Sequence, residues 1–316
     1  METVQRMELI RGLHNLRPHH RGCVATIGAF DGVHRGHQAV INHTIERAHQ
    51  LDLPSTVIVF EPLPREYFAP KEAPARLMSF SEKFVVLRDL SVDRLLRIQF
   101  NDSLSTMSAD AFIKQIFVDG LGIQHIVAGD DLHFGRGREG DVDSLQKAGA
   151  KFGFTVSDTN TVAFDDDRVS STRLRTVLEE GDFDEAERML GRPYFMRGKV
   201  VYGRQVGATI GVPTANLELH RKRSPLSGVF AVHVRGVGDS LLPGVGNVGT
   251  RPTIDDGLKA NLEVHLLDFN QNLYGEKLEV LFRQKIREEK KFESLEELTE
   301  NIHRDIETAR QYFKDR

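Results

Sequence analysis

Thr26-Ile-Gly-Ala-Phe-Asp-Gly-Val-His-Arg-Gly-His37 is the stretch that decides the fold of this chain. Val24–Ile27 is a short apolar run with strand character; a glycine-bearing turn follows, then a helix start. His34 and His37 stand three residues apart in that first turn, so they share a face and point at one place. That place is a helix N-terminus, where backbone N–H groups and the macrodipole attract phosphate. Gly28, Gly32 and Gly36 carry no side chain that would hold a nucleotide off the backbone. Strand, loop, His-x-Gly-His and helix together predict a site that binds ATP and transfers a nucleotidyl group. The two histidines also suit a zinc pair, but that needs a third ligand, and the chain has one cysteine, Cys23, and no tight His/Asp cluster nearby. On a plain amphipathic helix they would be solvated surface residues, a bland alternative that the strand–glycine context opposes.

Working outward, strands and helices alternate. Strands are expected at Ser55–Phe60, Arg94–Phe100, His125–Ala128 and Thr155–Asp158. Helices are expected at Gln38–Gln50, Ser81–Leu90, Ser108–Leu121 (with Ser108 as N-cap) and Val142–Phe152. Such alternation implies a parallel sheet wound on both faces, with ligands beyond the carboxyl ends of its strands. The His34/His37 loop, the Glu61 segment and Gly129-Asp-Asp-Leu-His-Phe-Gly135 each follow a strand, so they should converge on one crevice. Ser170-Ser-Thr-Arg-Leu-Arg175 then opens another helix. Its hydroxyls and arginines make either a second phosphate cluster or a capped helix with solvated arginines.

After a short acidic helix over Glu179–Leu190 the pattern becomes β. Strands are expected at Arg197–Tyr202, Val229–Arg235, Leu241–Val248, Ala260–Leu267 and Lys277–Arg283, as in a barrel or sandwich. An amphipathic helix over Ser294–Phe313 closes the chain. The change of pattern puts a boundary near residues 185–190, dividing the chain into 1–186 and 187–316. Within Gly203–Asn216, Gly203, Gly207 and Gly211 precede Pro213-Thr-Ala-Asn216, a turn able to wrap phosphates and hold hydrated Mg²⁺ through oxygen ligands. Alternation puts Glu263 and His265 on the face opposite Leu262, Val264 and Leu266. A carboxylate there is either a proton acceptor for a substrate hydroxyl or an exposed strand residue.

The chain has 316 residues, 40% hydrophobic and 28% charged, and a formal charge of −4, which suits a soluble two-domain protein and gives no bulk basic character for nucleic acid. One cysteine excludes an intramolecular disulfide. No apolar run reaches the roughly 20 residues of a membrane span, and the first seven residues lack a signal-like core, so a cytoplasmic protein is expected.

Eight segments in order resemble the bacterial bifunctional riboflavin kinase/FAD synthetases: Gly28–His37, Phe60–Phe68, Gly129–Gly135, Ser170–Arg175, Leu190–Tyr194, Pro213–Asn216, Asn247–Thr253 and Glu263–Asp268. The resemblance implies a Rossmann-like α/β nucleotidyltransferase domain with a parallel sheet, followed by a small antiparallel β-barrel domain with a C-terminal helix. The first would be an FMN adenylyltransferase and the second a riboflavin kinase, with riboflavin, FMN, FAD and ATP as ligands and Mg²⁺ as cofactor. His34 and His37 would bind ATP phosphates, in a loop that includes Gly28, Phe30, Asp31, Gly32 and Gly36. Asp131 would lie near the nucleotide, and Ser171, Thr172, Arg173 and Arg175 would form the second phosphate motif, Arg173 acting in catalysis. In the kinase half, Gly207, Gly211 and Pro213 would shape the nucleotide turn, and Thr214 and Asn216 would hold Mg²⁺. Glu263 would be the general base, and Arg287 with Lys290–Phe292 would border the flavin.

The chain departs from the family at Ala208, where arginine is usual, at Val212, where phenylalanine is usual, and at Leu132 and His133. Ala208 and Val212 motivate an alternative in which only the adenylyltransferase is active and the kinase half merely binds flavin. Another nucleotidyltransferase of the His-x-Gly-His group leaves the β half without a role. A non-enzymatic flavin-binding regulator has no need of His34, His37, Thr214, Asn216 and Glu263 together.

Overall fold

The computed structural model describes residues 7–129, 131–159, 163–164, 167–203, 211–252 and 258–316. It contains two compact units, Met1–Ala73 with Lys83–Val169, and Pro74–Glu82 with Ser170–Arg316.

The first unit is built on a six-stranded sheet of β1 (Glu8–Arg11), β2 (Val24–Ile27), β3 (Ser55–Glu61), β4 (Arg94–Gln99), β5 (His125–Gly129) and β6 (Thr155–Thr159), in the order β1-β4-β3-β2-β5-β6. Every pairing is parallel. All four residues of β2 are buried, as a central strand covered on both faces requires. Ala25, Ile27, Ile126 and Ala128 pack with Phe112, Ile113, Ile116 and Phe117 on one face. Val24 and Val127 pack with Val40 and Ala48 of the helix Arg35–Gln50 on the other. The chain runs from β2 through β3 and β4 to one side, then returns to place β5 on the other side of β2. The loop after β2 therefore opens at the switch point.

β1 went unread in the sequence because four residues at a sheet edge carry little periodicity. The expected helix Ser108–Leu121 starts as read, with Ser108 capping the N–H of Ala111 at 3.3 Å. It widens to a π-type helix over Ile113–Leu121 and stops at Gly122, whose φ is 53°. Two-residue strands β7 (Ala163–Phe164) and β8 (Asp167–Arg168) pair with each other.

In the second unit the expected acidic helix starts later than Glu179. Ser171–Glu180 ends at Gly181 (φ 83°), and Asp182 caps a new helix over Phe183–Leu190. The β half is a closed antiparallel barrel of β9 (Phe195–Val201), β10 (Ala215–Glu218), β11 (Gly228–Gly236), β12 (Gly238–Pro252), β13 (Leu258–Leu266) and β14 (Lys277–Arg287), in the order β10-β13-β12-β11-β14-β9. Closure leaves no free edge. The interior holds Val200, Leu217, Phe230, Val232, Val248, Leu262, Val264 and Phe282, all buried. The C-terminal helix Leu295–Lys314, capped by Ser294, packs Ile306, Ala309 and Phe313 on the outer residues Val229, Ala231 and Val245. β10 was missed in the sequence because its four residues fall inside a run that reads as a glycine-rich turn.

Candidate functional site

In the first unit the loop between β2 and Arg35–Gln50 is held in an uncommon shape. Phe30 (φ 43°), Gly32 (φ 89°) and Val33 (φ 42°) all occupy the left-handed region, and a β-branched residue such as Val33 does so only when its surroundings impose it. His34 caps the helix, its Nδ1 accepting from the backbone N–H of His37 at 3.3 Å. In the neutral ring this puts the proton on Nε2, which becomes the donor. The two imidazoles stack at 3.6 Å between centroids with 16° between planes, and Phe30 meets His37 edge-on at 5.4 Å. Glycine at 36 keeps this stack possible, since a Cβ there would lie 3.2 Å from the His34 ring. His34 and Asp31 are 5% and 4% exposed, so charge and dipole act here with little screening from water.

Asp131 lies beyond the end of β5, the strand beside β2, and its Oδ1 is 3.5 Å from where a Cβ on Gly129 would stand. It thus shares the carboxyl edge of the sheet with His34 and His37. The Glu61 segment leaves β3 at the same edge. There Phe60, Tyr67 and Phe68 ring Phe100 at 5.3–5.7 Å between centroids, and Phe68 is 66% exposed. Sequence reasoning assigns these aromatics no role, although an exposed phenylalanine at the ligand edge of a parallel sheet is a ligand signal.

No third metal-ligand atom stands with His34 and His37 among the described residues. Among the described residues, the group with metal-ligand spacing is Glu8, His19 and His20. There His20 Nδ1 accepts from the N–H of Arg17 at 2.8 Å, so Nε2 carries the proton that faces Glu8 at 2.9 Å and has no lone pair for a metal.

In the second unit Ser170 caps Ser171–Glu180 by accepting from the Arg173 N–H at 3.2 Å, with Ser171 and Thr172 in the first turn. Both arginines there have protein partners. Arg173 Nη2 lies 2.8 Å from Glu185 Oε1, and Arg175 donates to the carbonyls of Ala75 at 2.6 Å and Ser171 at 3.0 Å. Gly207 and Ala208 lie outside the described residues. Gly211 takes φ 76°, Val212 is buried at 4%, and the Pro213 carbonyl accepts from His265 Nδ1 at 2.9 Å. Thr214 leads into β10, where Asn216 is 5% exposed and pairs in register with Glu263 of β13. Gly203 makes room for the Asn216 carboxamide, because a Cβ on residue 203 would fall 2.3 Å from Nδ2. Glu263 Oε1 accepts from Asn261 at 3.1 Å and pairs on its other side with Asn247 of β12. Arg287 is committed to Asp305, with Nη2–Oδ2 at 2.7 Å and Nε–Oδ1 at 2.9 Å, and its guanidinium lies 5.4 Å from the Phe292 ring. No helix among the described residues is long and apolar enough to cross a membrane.

Residues 16–173 match the FAD synthetase family and residues 190–313 the riboflavin kinase family. A bifunctional riboflavin kinase/FMN adenylyltransferase of Pseudomonas fluorescens is 53% identical over 96% of this chain and 97% of its own. The protein of that name in Escherichia coli K12 is 46% identical over 97% and 98%. A solved structure described as a macrolide-efflux protein from Streptococcus pneumoniae is 30% identical, with a TM-score of 0.78 over 96% of this chain and 99% of that one. The chain belongs to the family of bifunctional riboflavin kinases/FMN adenylyltransferases, with its FAD synthetase part toward the N-terminus and its riboflavin kinase part toward the C-terminus.

Proposed function

We propose that this chain makes FAD from riboflavin in two ATP-dependent steps, one in each half. The C-terminal half transfers the γ-phosphoryl group of ATP to the ribityl 5′-hydroxyl of riboflavin, giving FMN and ADP. The N-terminal half joins the FMN phosphate to the α-phosphorus of ATP, giving FAD and releasing pyrophosphate. The observation that carries this is a pair of stacked histidines at a capped helix start on the switch-point loop, in the same chain as Asn216, buried, paired in register with Glu263 on a closed barrel.

In adenylyl transfer the FMN phosphate is already an anion, so no general base is required. The work is positioning and charge stabilisation. His34 Nε2 and the His37 ring donate toward the phosphates at the start of the helix Arg35–Gln50, whose dipole favours them. Asp131 borders the nucleotide, and Ser171, Thr172, Arg173 and Arg175 supply the second phosphate motif. That role needs Arg173 to exchange Glu185 for phosphate. The aromatic group around Phe100 offers an apolar surface for a flavin ring.

In the kinase half Glu263 orients the riboflavin 5′-hydroxyl and takes its proton as the oxygen bonds to the γ-phosphorus. Thr214 and Asn216 are hard oxygen donors of the kind that suit Mg²⁺ with phosphate oxygens, and Gly203 leaves room for the Asn216 carboxamide. When bound, Mg²⁺ neutralises phosphate charge. Gly207, Gly211 and Pro213 shape the turn over the nucleotide, and Arg287, locked to Asp305, fixes the flavin-side border. ATP is co-substrate in both steps, and the reaction takes place in the cytoplasm, on small molecules rather than nucleic acid. A kinase half that only binds flavin would draw its support from Ala208, which lies outside the described residues, and from Val212, where an apolar side chain buried at 4% serves the same packing purpose as phenylalanine.

The test is chromatography of flavins after incubating the pure protein with ATP, Mg²⁺ and either riboflavin or FMN. FMN followed by FAD from riboflavin is expected. FAD from FMN alone would remove the kinase, and no product in either tube would overturn both assignments.

A further inference from the structure

Three barrel strands set three polar residues in one row: Asn216 of β10 faces Glu263 of β13, which faces Asn247 of β12. Directly opposed residues of antiparallel strands share a face, with Cβ atoms about 4.5–5.5 Å apart. The adjoining row, Leu217, Leu262 and Val248, is buried inside the barrel, so the polar row lies on the outer face. Two residues before Asn247 on that face, Val245 lies under the C-terminal helix. Two residues after it, Gly249 leaves space for Glu289, whose Oε1 would be 2.3 Å from a Cβ built there.

Asn247 Oδ1 is shielded from solvent and has no hydrogen-bond partner among the described residues. Buried carbonyl oxygens in folded proteins nearly always have a donor, and one that lacks it beside a reactive group points to an absent ligand. The carboxylates beside it on this face, Glu263 and Glu289, accept hydrogen bonds when ionised and cannot donate. The missing partner must bring its own proton.

We propose that Asn247 orients riboflavin in the kinase half: its Oδ1 accepts from the 4′-hydroxyl of the ribityl chain while Glu263 takes the 5′-hydroxyl. Two acceptors opposed across adjacent strands match the two neighbouring hydroxyls of a vicinal diol. Reading both fixes the rotation about the terminal carbon–carbon bond, and so the direction from which the 5′-oxygen approaches phosphorus. This rests on Glu263 being the base.

The test compares wild type, Asn247→Ala and Glu263→Gln on riboflavin and on 4′-deoxyriboflavin, at saturating ATP and Mg²⁺, with FAD formation from FMN measured alongside. On riboflavin, Asn247→Ala is expected to lower kinase kcat/KM about tenfold, the loss of one neutral hydrogen bond. Wild type should lose about as much when the 4′-hydroxyl is removed, and Asn247→Ala little more. FAD formation from FMN should be unchanged. An equal penalty for the deoxy substrate in both proteins, or a loss that more Mg²⁺ restores, overturns the assignment and leaves Glu263 in place. Kinase activity surviving in Glu263→Gln overturns the base and this inference with it. Asn247→Ser, which fills part of the space but cannot reach the same point, serves if the alanine variant does not fold.

Discussion

Lys83 Nζ donates to the carbonyl oxygen of Ala29 at 2.5 Å, from a side chain only 2% exposed. Ala29 lies between Gly28 and Phe30, at the start of the left-handed stretch that delivers His34. A buried ammonium on that carbonyl is a strong, charge-assisted contact that opposes relaxation of the loop. Lys83→Met keeps the stem and removes the donor. FAD formation from FMN is expected to fall 10- to 100-fold, as displacement of a catalytic loop by about an ångström does. Phosphorylation of riboflavin should be unchanged, and Lys83→Arg should restore part of the loss. Equal loss of both activities would mean a folding defect instead.

Lys83 shows what the sequence withholds. Its place in the helix Phe80–Asp89 is legible from periodicity, but its bond to a loop 54 residues earlier is not. The parallel sheet was legible because continuously apolar strands alternate with capped helices; Ser108 caps as read, and of the three hydroxyls at 170–172 it is Ser170 that caps. The face of Glu263 was legible too, because strand alternation is strict. What escaped were short elements such as β1 and β10 and the partners of long cations. Arg173, Arg175 and Arg287 are engaged by Glu185, Ala75 and Asp305, choices that only the packed chain makes. Asn247 stood in a motif without a visible purpose, since its register against Glu263 depends on how the barrel closes.

His37→Ala and Glu263→Gln should separate the two activities. Loss of one preorganised donor at a phosphoryl centre costs roughly 10²–10³ in rate, and loss of a general base roughly 10²–10⁴. The first change is expected to abolish FAD from FMN and spare FMN from riboflavin, and the second to do the reverse. Paired assays of each purified variant decide it. A folded variant that loses both would contradict two separate sites.

Gly203→Ala tests the cradle around Asn216. The added Cβ would stand 2.3 Å from Nδ2 and 2.6 Å from Oδ1, so the carboxamide must move. Kinase kcat/KM should drop at least tenfold, and the Mg²⁺ concentration needed for half-maximal rate should rise, with FAD formation from FMN intact. An unaltered Mg²⁺ requirement would remove Asn216 from the metal.

Glu82 and Arg221 form an ion pair whose side chains are both 0% exposed. Glu82 also accepts from the N–H groups of Ser79 at 2.6 Å and Arg197 at 2.7 Å, so both of its oxygens are hydrogen-bonded. Glu82→Ala leaves the guanidinium charge buried without a counter-ion and should destabilise the second unit by about 3–5 kcal/mol. Removing both charges, as Glu82→Leu with Arg221→Met, should recover most of that loss. Denaturant midpoints of the three proteins measure it, and a double variant no better than the single would show that the backbone bonds dominate.

His125 gives the fold a dependence on pH. Burial pushes its pKa down from 6.5 to about 4, with Arg47 and His43 adding repulsion. Its Nδ1 and Nε2 lie 2.6 Å from Thr155 Oγ1 and 2.9 Å from Ser157 Oγ, bonds that hold the neutral ring between β5 and β6. Between pH 6.5 and 4 the unfolded chain binds a proton that the folded chain refuses. This contribution is therefore complete above pH 6.5 and is lost as the pH falls toward 4. Linkage gives a size of about 2–3 kcal/mol across that window. His125→Gln cannot take up the proton in either state, so its melting temperature should fall less than that of wild type between pH 7 and pH 4.5. Parallel slopes in the two proteins would assign the acid sensitivity to other groups.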